Sequence, residues 1–450
     1  MKQIKKWQEP IYAIGGFGPG FLYQVTLTYL LYYYRPAQKQ IAGGAVVFAP
    51  VVGFAVVTLI ARILDGVVDI PIAGWTDNMR SKWGRRRPLM LLGWLPMAIT
   101  FILLWYPPLT GTRIGPEGHW LNALYIAVVS SAFFFFYTLM IVPYLAALSE
   151  IVPDEQSRVR VASWQTFFNT AGYVLTFVVA PMLFEKFGLL STMWVLLPVA
   201  ISFIGPLLVI KEMPTDGSVV PMGDALQQQP TASDDVPLWD SVKLTLGNRT
   251  FRIYMLSVAT FFFGLQLFLG GIAFMAADMM GLSESQLGMM NGAVFAPVPV
   301  MLVVFNLITR KKGAKWAFRL ALLVFAAVMF AYPLAWTQLN FPVTPMMVGI
   351  ILGVVASFST GVFFTIPYAF PAEIAASDAK KTGKDRAGMF FAVQGLINQF
   401  MGSLSASFLA LLLTWQYGVV IVAPIAGVTM IAAFFFFAPY PLGQKTAIQD

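Results

Sequence analysis

The chain has 450 residues, of which 58% are hydrophobic and only 11% charged, with a formal net charge of +8. A soluble globular domain carries about 25% charged residues. With a mean hydropathy of +0.73, the composition excludes a disordered chain, a nucleic-acid module and an ordinary cytosolic enzyme, and fits a polytopic membrane protein. Cysteine is absent and His119 is the single histidine. Disulfides and thiolate metal sites are therefore excluded, and zinc-hydrolase or histidine-relay chemistry has no residues to work with.

A membrane-crossing helix needs about 20 mostly apolar residues. Runs of that kind, bounded by charges, Pro and Gly, predict twelve spans. In chain order they are 10–34, 44–73, 88–107, 120–148, 161–184 and 190–210, then 251–277, 285–309, 316–337, 343–370, 387–413 and 417–438. They are numbered here one to twelve. No strand-like alternation recurs, which excludes a transmembrane barrel. The first apolar run is too long, and too rich in Gly and aromatics, for a cleaved signal peptide.

Twelve spans put both termini on one side. The loops on the opposite side hold only Arg35, Lys39, Arg113 and Lys186 of the Lys and Arg residues, Arg62 lies within span two, and the others fall on the side of the termini. The bias predicts cytoplasmic termini. The basic charge is thus topology rather than a nucleic-acid footprint, and contact with anionic membrane lipids follows from it.

The longest polar stretch, 211–249, contains Pro214, Gly217, Gln227 to Gln229, Pro230 and Asp234. It predicts a cytoplasmic linker between an N-terminal half, 1–210, and a C-terminal half, 250–450, with a short amphipathic helix over 236–246. The halves echo each other. Span four ends in Val142-Pro143-Tyr144 followed by Glu150, and span ten in Ile366-Pro367-Tyr368 followed by Glu373. The basic loop Gly84-Arg85-Arg86-Arg87 after span two has a weaker partner after span eight, Arg310-Lys311-Lys312-Gly313. Matched loops on one side imply a parallel repeat of two six-helix halves, as in the major facilitator fold.

Ionisable residues inside a membrane are costly and are functional candidates. Span two carries Arg62, Asp65 and Asp69, whose offsets of three and four place them on one helical face. Two carboxylates a turn apart repel unless a cation, a shared proton or Arg62 relieves them. Oxygen-only ligands suit a hard cation such as sodium, which would make Asp65 and Asp69 metal ligands, and a raised carboxyl pKa suits a proton. The alternative is a structural Arg–Asp lock. The basic loop from Asp77 to Pro88 follows, and its arginines can bond carboxylates or the C-termini of neighbouring spans. Arg62, Asp77, Arg85, Arg86, Glu150, Arg158, Glu373 and Arg386 are the candidate cytoplasmic gate.

The segment Arg62-Ile63-Leu64-Asp65-Gly66-Val67-Val68-Asp69, with Asp77 and Arg80-Ser81-Lys82-Trp83-Gly84-Arg85-Arg86-Arg87-Pro88, resembles the signature of the glycoside–pentoside–hexuronide:cation symporters. These are major facilitator proteins typified by the melibiose carrier. Tyr137-Thr138 to Pro143 and Asn248-Arg249-Thr250-Phe251 extend the resemblance. It implies that Asp65 and Asp69, helped by Thr138, bind a coupling sodium, lithium or proton. Val68 stands where that family often has an asparagine, and Ile70 separates Asp69 from Pro71. The acids that grip sugar in the melibiose carrier match Gly20 and Ile141, its span-five basic residue matches Gln165, and its span-eleven lysine matches Gln399.

Tyr23, Gln24, Trp164, Gln165, Gln266, Asn398 and Gln399 are the candidate substrate-binding residues, with Asn169 and Gln394 as further polar groups within spans. Amides and aromatic faces can bind sugars. The same groups can equally bond one helix to another. The expectation is a cation-coupled symporter, driven by sodium or protons, of a sugar or glycoside, with no enzymatic activity and no cofactor beyond the coupling ion. A lysophospholipid or other amphiphile is the alternative cargo, and a non-transporting receptor or scaffold is the alternative class. A bacterial inner membrane, a monomeric state and no nucleic-acid partner are expected.

Overall fold

The structure is a computed structural model. It describes residues 4–61, 86–111, 114–151, 155–210, 238–382 and 387–441, with Ile72, Trp75, Met79 and 81–84. Among these residues the regular structure is helical throughout. The chain divides into two compact units, Met1–Gln228 and Gln229–Asp450, so the division falls inside the polar stretch 211–249. Residues 211–237 lie outside the described set, and the expected amphipathic helix is present as Leu238–Gly247.

Eight helices among the described residues are long and apolar enough to cross a membrane. They correspond to spans four to seven and nine to twelve. Span one is built from Glu9–Ala13, a tight turn at Ile14–Gly16 and Phe17–Tyr34. Pro10 sits in its first turn, where a missing N–H costs nothing. Span two is described as Val51–Ala61 and span three as Arg87–Leu103. Span eight, predicted as one run over 285–309, is instead two helices, Glu284–Phe295 and Val298–Lys312. Pro297 and Pro299 lack the N–H groups that an unbroken helix would use there.

Large apolar side chains point outward along these helices. Leu124, Val128, Leu208, Val428 and Phe435 are all more than half exposed. Their accumulation on helix after helix is the surface of a protein solvated by lipid.

Within the first unit, spans one and six approach to backbone distance. A Cβ on Gly18 would collide with the Val199 carbonyl, one on Gly15 with Pro206, and one on Gly205 with the Ile11 carbonyl. Helices in lipid associate through such small-residue contacts. The Gly18 amide also donates to Ser202 Oγ at 3.0 Å. Spans three and four repeat the device, since a Cβ on Gly93 would lie 2.7 Å from the Phe136 carbonyl.

Within the second unit, Asn248 caps span seven by accepting from the Phe251 amide at 3.1 Å. Its core is aromatic. Phe318 packs edge-on against Phe261, Phe363 and Phe437, and Phe370 lies against Tyr254, Phe437 and Tyr440. Such edge-to-face pairs add about 0.5–1.5 kcal/mol each beyond burial.

Candidate functional site

The candidate cation ligands Asp65 and Asp69 lie outside the described residues, as do Arg62, Asp77, Arg85 and Arg386 and the side chains of Glu150 and Arg158. Thr138 is buried on span four. One residue earlier, Tyr137 stacks on Tyr23 of span one with ring centroids 4.6 Å apart, and Phe134 meets the same ring edge-on at 5.6 Å. Ile72, Leu89 and Leu139 form a buried cluster, with Met79, Phe135, Phe136 and Val142 against it. This packing fixes the foot of span two and the start of span three against span four.

Polar side chains tie spans one, four and five at one end of the first unit. The buried carboxylate of Glu9 accepts from Arg160 twice, Nη2 to Oε1 at 2.8 Å and Nε to Oε2 at 3.1 Å. That two-pronged geometry is the strongest form of ion pair. One turn on, the Tyr12 phenol donates to the Tyr144 carbonyl, and the Tyr144 phenol donates back to the carbonyls of Tyr12 at 3.1 Å and Ala13 at 3.3 Å. The two rings stack at 4.8 Å. Gln165 Nε2 donates to the Tyr144 oxygen at 3.1 Å.

The second unit holds a counterpart on spans seven, ten and eleven. The Tyr254 phenol donates to Gln394 Oε1 at 3.0 Å, and Gln394 Nε2 donates to the Pro367 carbonyl at 2.9 Å. That carbonyl is free because Pro371, four residues on, has no N–H to offer it. Asn248 Nδ2 reaches Asp378 Oδ1 at 3.1 Å. Glu373 is exposed on the same helix as Asp378. Beyond span twelve, burial holds the Tyr440 phenol well above its usual range, with the Glu373 charge as a second cause.

A second correspondence joins the third and sixth helices of each unit. Arg87, at the start of span three, donates to the Leu207 carbonyl near the end of span six at 3.0 Å. Lys315, at the start of span nine, donates to the carbonyls of Ala438, at 3.0 Å, and Tyr440 past the end of span twelve. Both cations serve unsatisfied carbonyls at a helix C-terminus. The sequence placed arginines of this loop in such a role but selected Arg85 and Arg86 for the gate. Arg86 is buried, and Arg87 makes the helix-end contact. Lys315 and Glu9 were not singled out. Their signal is a charge within one turn of an apolar span, which only a partner distinguishes from ordinary interfacial solvation.

The substrate candidates separate into used and unused groups. Gln24 is buried and donates within its own helix to Thr28 Oγ1 at 3.2 Å. Gln165 is engaged with Tyr144, and Tyr23 stacks as described. Trp164 is exposed and lies against Phe167 and Phe168, with Phe17 beyond. At Gly20, where the resemblance expects an acid, a Cβ would meet only Asn169 Oδ1, at 4.0 Å. In the second unit Gln266 lies over Gly402, with its Nε2 3.8 Å from where a Cβ would stand. Asn398 and Gln399 sit one turn before Gly402 on span eleven. Their side-chain oxygens are buried without a hydrogen-bond partner.

The chain is similar to known proteins. A family model described as MFS/sugar transport protein matches residues 11–440. An uncharacterized symporter of Synechocystis sp. is 23% identical over 86% of this chain and 81% of its own length. A putative glycoside/cation symporter of Escherichia coli is 28% identical over 38% of this chain and 34% of its own length. An isoprimeverose transporter of Lactiplantibacillus pentosus is 26% identical over 42% and 36%. Among solved structures, a D-xylose-proton symporter superposes with a TM-score of 0.63 at 15% identity, covering 96% of this chain and 97% of that one. The nucleoside transporter NupG gives 0.60 at 13% identity, covering 96% and 98%. These likenesses show the fold, that of the major facilitator transporters. The protein is a multi-pass integral membrane transporter of a small-molecule substrate, and it belongs to the MFS/sugar transport protein family.

Proposed function

We propose that the chain couples movement of a sugar or glycoside to sodium or protons, through Asp65, Asp69 and Thr138, by alternating access between its halves. One observation carries the reading. A chain matching the sugar-transport family over nearly its whole length keeps two carboxylates a turn apart on one face of an apolar span, where their mutual repulsion calls for a cation or a proton. Relatives whose names state a cargo name sugars or glycosides, which favours that cargo over a lysophospholipid. The Lys and Arg bias supports cytoplasmic termini, and relatives from bacteria support a bacterial inner membrane.

The test is uptake of labelled glycosides into proteoliposomes under an imposed sodium gradient or pH gradient. Wild type accumulates its substrate against the gradient under one of the two. Asp69→Asn loses accumulation while retaining exchange of substrate across the membrane. Accumulation by Asp69→Asn equal to wild type sinks the coupling assignment.

A further inference from the structure

The last turn of Val298–Lys312 carries Arg310, Lys311 and Lys312. Gly313, whose φ of 85° disfavours any other residue, turns the chain into span nine. Span nine adds Lys315 and Arg319 within its first two turns. No Asp or Glu occurs from 285 to 372, nor from 387 to 449. Spans eight, nine and twelve therefore offer these five cations no carboxylate. Glu373 of span ten, whose charge is felt by the Tyr440 phenol, forms no ion pair with any of them among the described residues.

The cations differ in what holds them. Lys315 is engaged with the carbonyls of Ala438 and Tyr440. Lys312 sets its ammonium 4.2 Å from the centre of the Trp316 ring, and Arg319 sets its guanidinium 4.1 Å from that of Phe434 on span twelve. A ring face orients a cation but accepts no full hydrogen bond from it. Arg319 is half-buried, its Nε is shut off from solvent, and none of its N–H groups meets an acceptor among the described residues. Lys315 lies one turn away, and like charges at that spacing repel. A guanidinium fixed on a ring, beside a second cation and with every donor unmatched, is a place where an anion would be stabilised.

The surroundings say which anion. Trp316 belongs to a residue type that settles at headgroup level, and Arg319 is one turn further into the span. Below them Leu323, Phe330 and Leu334 continue the face of Trp316, and these four side chains are 39–45% exposed. From Trp316 to Phe330 that face runs about 21 Å, longer than the roughly 15 Å of hydrocarbon in one leaflet. A free anion would use only the charged end. A lipid uses both.

We infer that Arg319, Lys312 and Trp316 form a binding site for one anionic phospholipid, with its phosphodiester on the Arg319 guanidinium and its acyl chains along the face from Leu323 to Phe330. The site is independent of the cargo and of the coupling ion. The planar guanidinium matches two phosphate oxygens, and the Lys312 ammonium adds a second charge beside them. A choline headgroup brings its own cation against Lys312 and Arg319, so the site selects phosphatidylglycerol over phosphatidylcholine.

Native mass spectrometry of the full chain in uncharged detergent tests this, with palmitoyl-oleoyl phosphatidylglycerol titrated beside phosphatidylcholine of the same chains. Wild type binds its first phosphatidylglycerol about tenfold more tightly than phosphatidylcholine. Arg319→Gln weakens phosphatidylglycerol binding about tenfold, the scale of one charge-assisted hydrogen bond. Lys312→Gln weakens it about fivefold, the scale of one basic residue at an anionic surface. Lys6→Gln removes the same charge from an exposed position of the first unit and leaves the preference unchanged. Glycerol 3-phosphate in large excess does not displace the lipid. Equal binding of the two lipids by wild type overturns the inference. An equal loss in Lys6→Gln overturns it as well, because the attraction would then be diffuse. Displacement by glycerol 3-phosphate overturns the lipid as occupant. Lys312 is exposed, so its variant reads the site even where Arg319→Gln fails to fold, and wild-type preference in Lys312→Gln overturns the site.

Discussion

The polar junction of spans one, four and five and that of spans seven, ten and eleven solve the same problem with different chemistry. Both join the first, fourth and fifth helices of a six-helix unit through a tyrosine and a glutamine. In the first unit the centre is a phenol, Tyr144, bonded to Tyr12 on one side and Gln165 on the other, with the Glu9–Arg160 pair one turn away. In the second the centre is an amide, Gln394, which joins the Tyr254 phenol to a carbonyl that a proline has released. The first junction is strengthened by charge and exposed to its cost. The second is neutral, and each of its bonds depends on one side chain. A repeat therefore conserves which helices are tied together more readily than it conserves the atoms that tie them.

The largest expected break in that comparison is Arg160→Ala. It leaves the Glu9 carboxylate buried and unpaired, and removal of one partner from a buried pair costs about 3–5 kcal/mol. Arg160 itself is partly exposed, which places the loss at the low end. Thermal unfolding in detergent should show the drop, and Arg160→Lys should recover only part of it, because an ammonium cannot reproduce the two-pronged contact. An unchanged melting temperature would mean that the junction does not rely on charge.

Gln394→Leu comes next. It takes the partner from the Tyr254 phenol and the Pro367 carbonyl at once, at about 1 kcal/mol for each, the low end for a group that can relax. The double variant with Tyr254→Phe should lose less than the sum of the two single losses, since the phenol is then absent rather than stranded. Full additivity would break the account of Gln394 as the centre.

The smallest effect sharpens the likeness instead. Arg87→Gln and Lys315→Gln each remove a cation from a helix C-terminus, for about 0.3–1 kcal/mol. If the two contacts are equivalent, the two losses match within that range in the same unfolding assay. A loss several times larger in one unit would assign that cation a further task.

Much of the architecture is legible in the sequence because apolar length and charge bias are read one residue at a time. Span eight shows the limit. Its composition reads as a single run, yet Pro297 and Pro299 divide it, and only the count of missing N–H groups reveals the break. The candidate site is less legible. Gln394, Asn398 and Gln399 are the same kind of residue on one helix, and residue type alone does not tell them apart. The structure separates them by partner, and the partner of Gln394 exists because of a proline on another helix. Likewise nothing in their residue type separates Gly15 and Gly18, which pack against span six, from Gly20, which faces nearly open space.

Span ten, Pro345–Thr382, is one helix of 38 residues. At 1.5 Å per residue it is about 57 Å long, against roughly 30 Å of hydrocarbon. Its last fifteen residues after Pro367 form an arm of about 22 Å. Span four, which ends at Ile151, has about 12 Å beyond Pro143. The same bend at the two prolines therefore moves the far end of span ten nearly twice as far as that of span four. Ten degrees is worth roughly 4 Å in one and 2 Å in the other. The two related helices have different mechanical advantage, and labels at Thr382 would report a change of angle that labels at Ile151 would barely register.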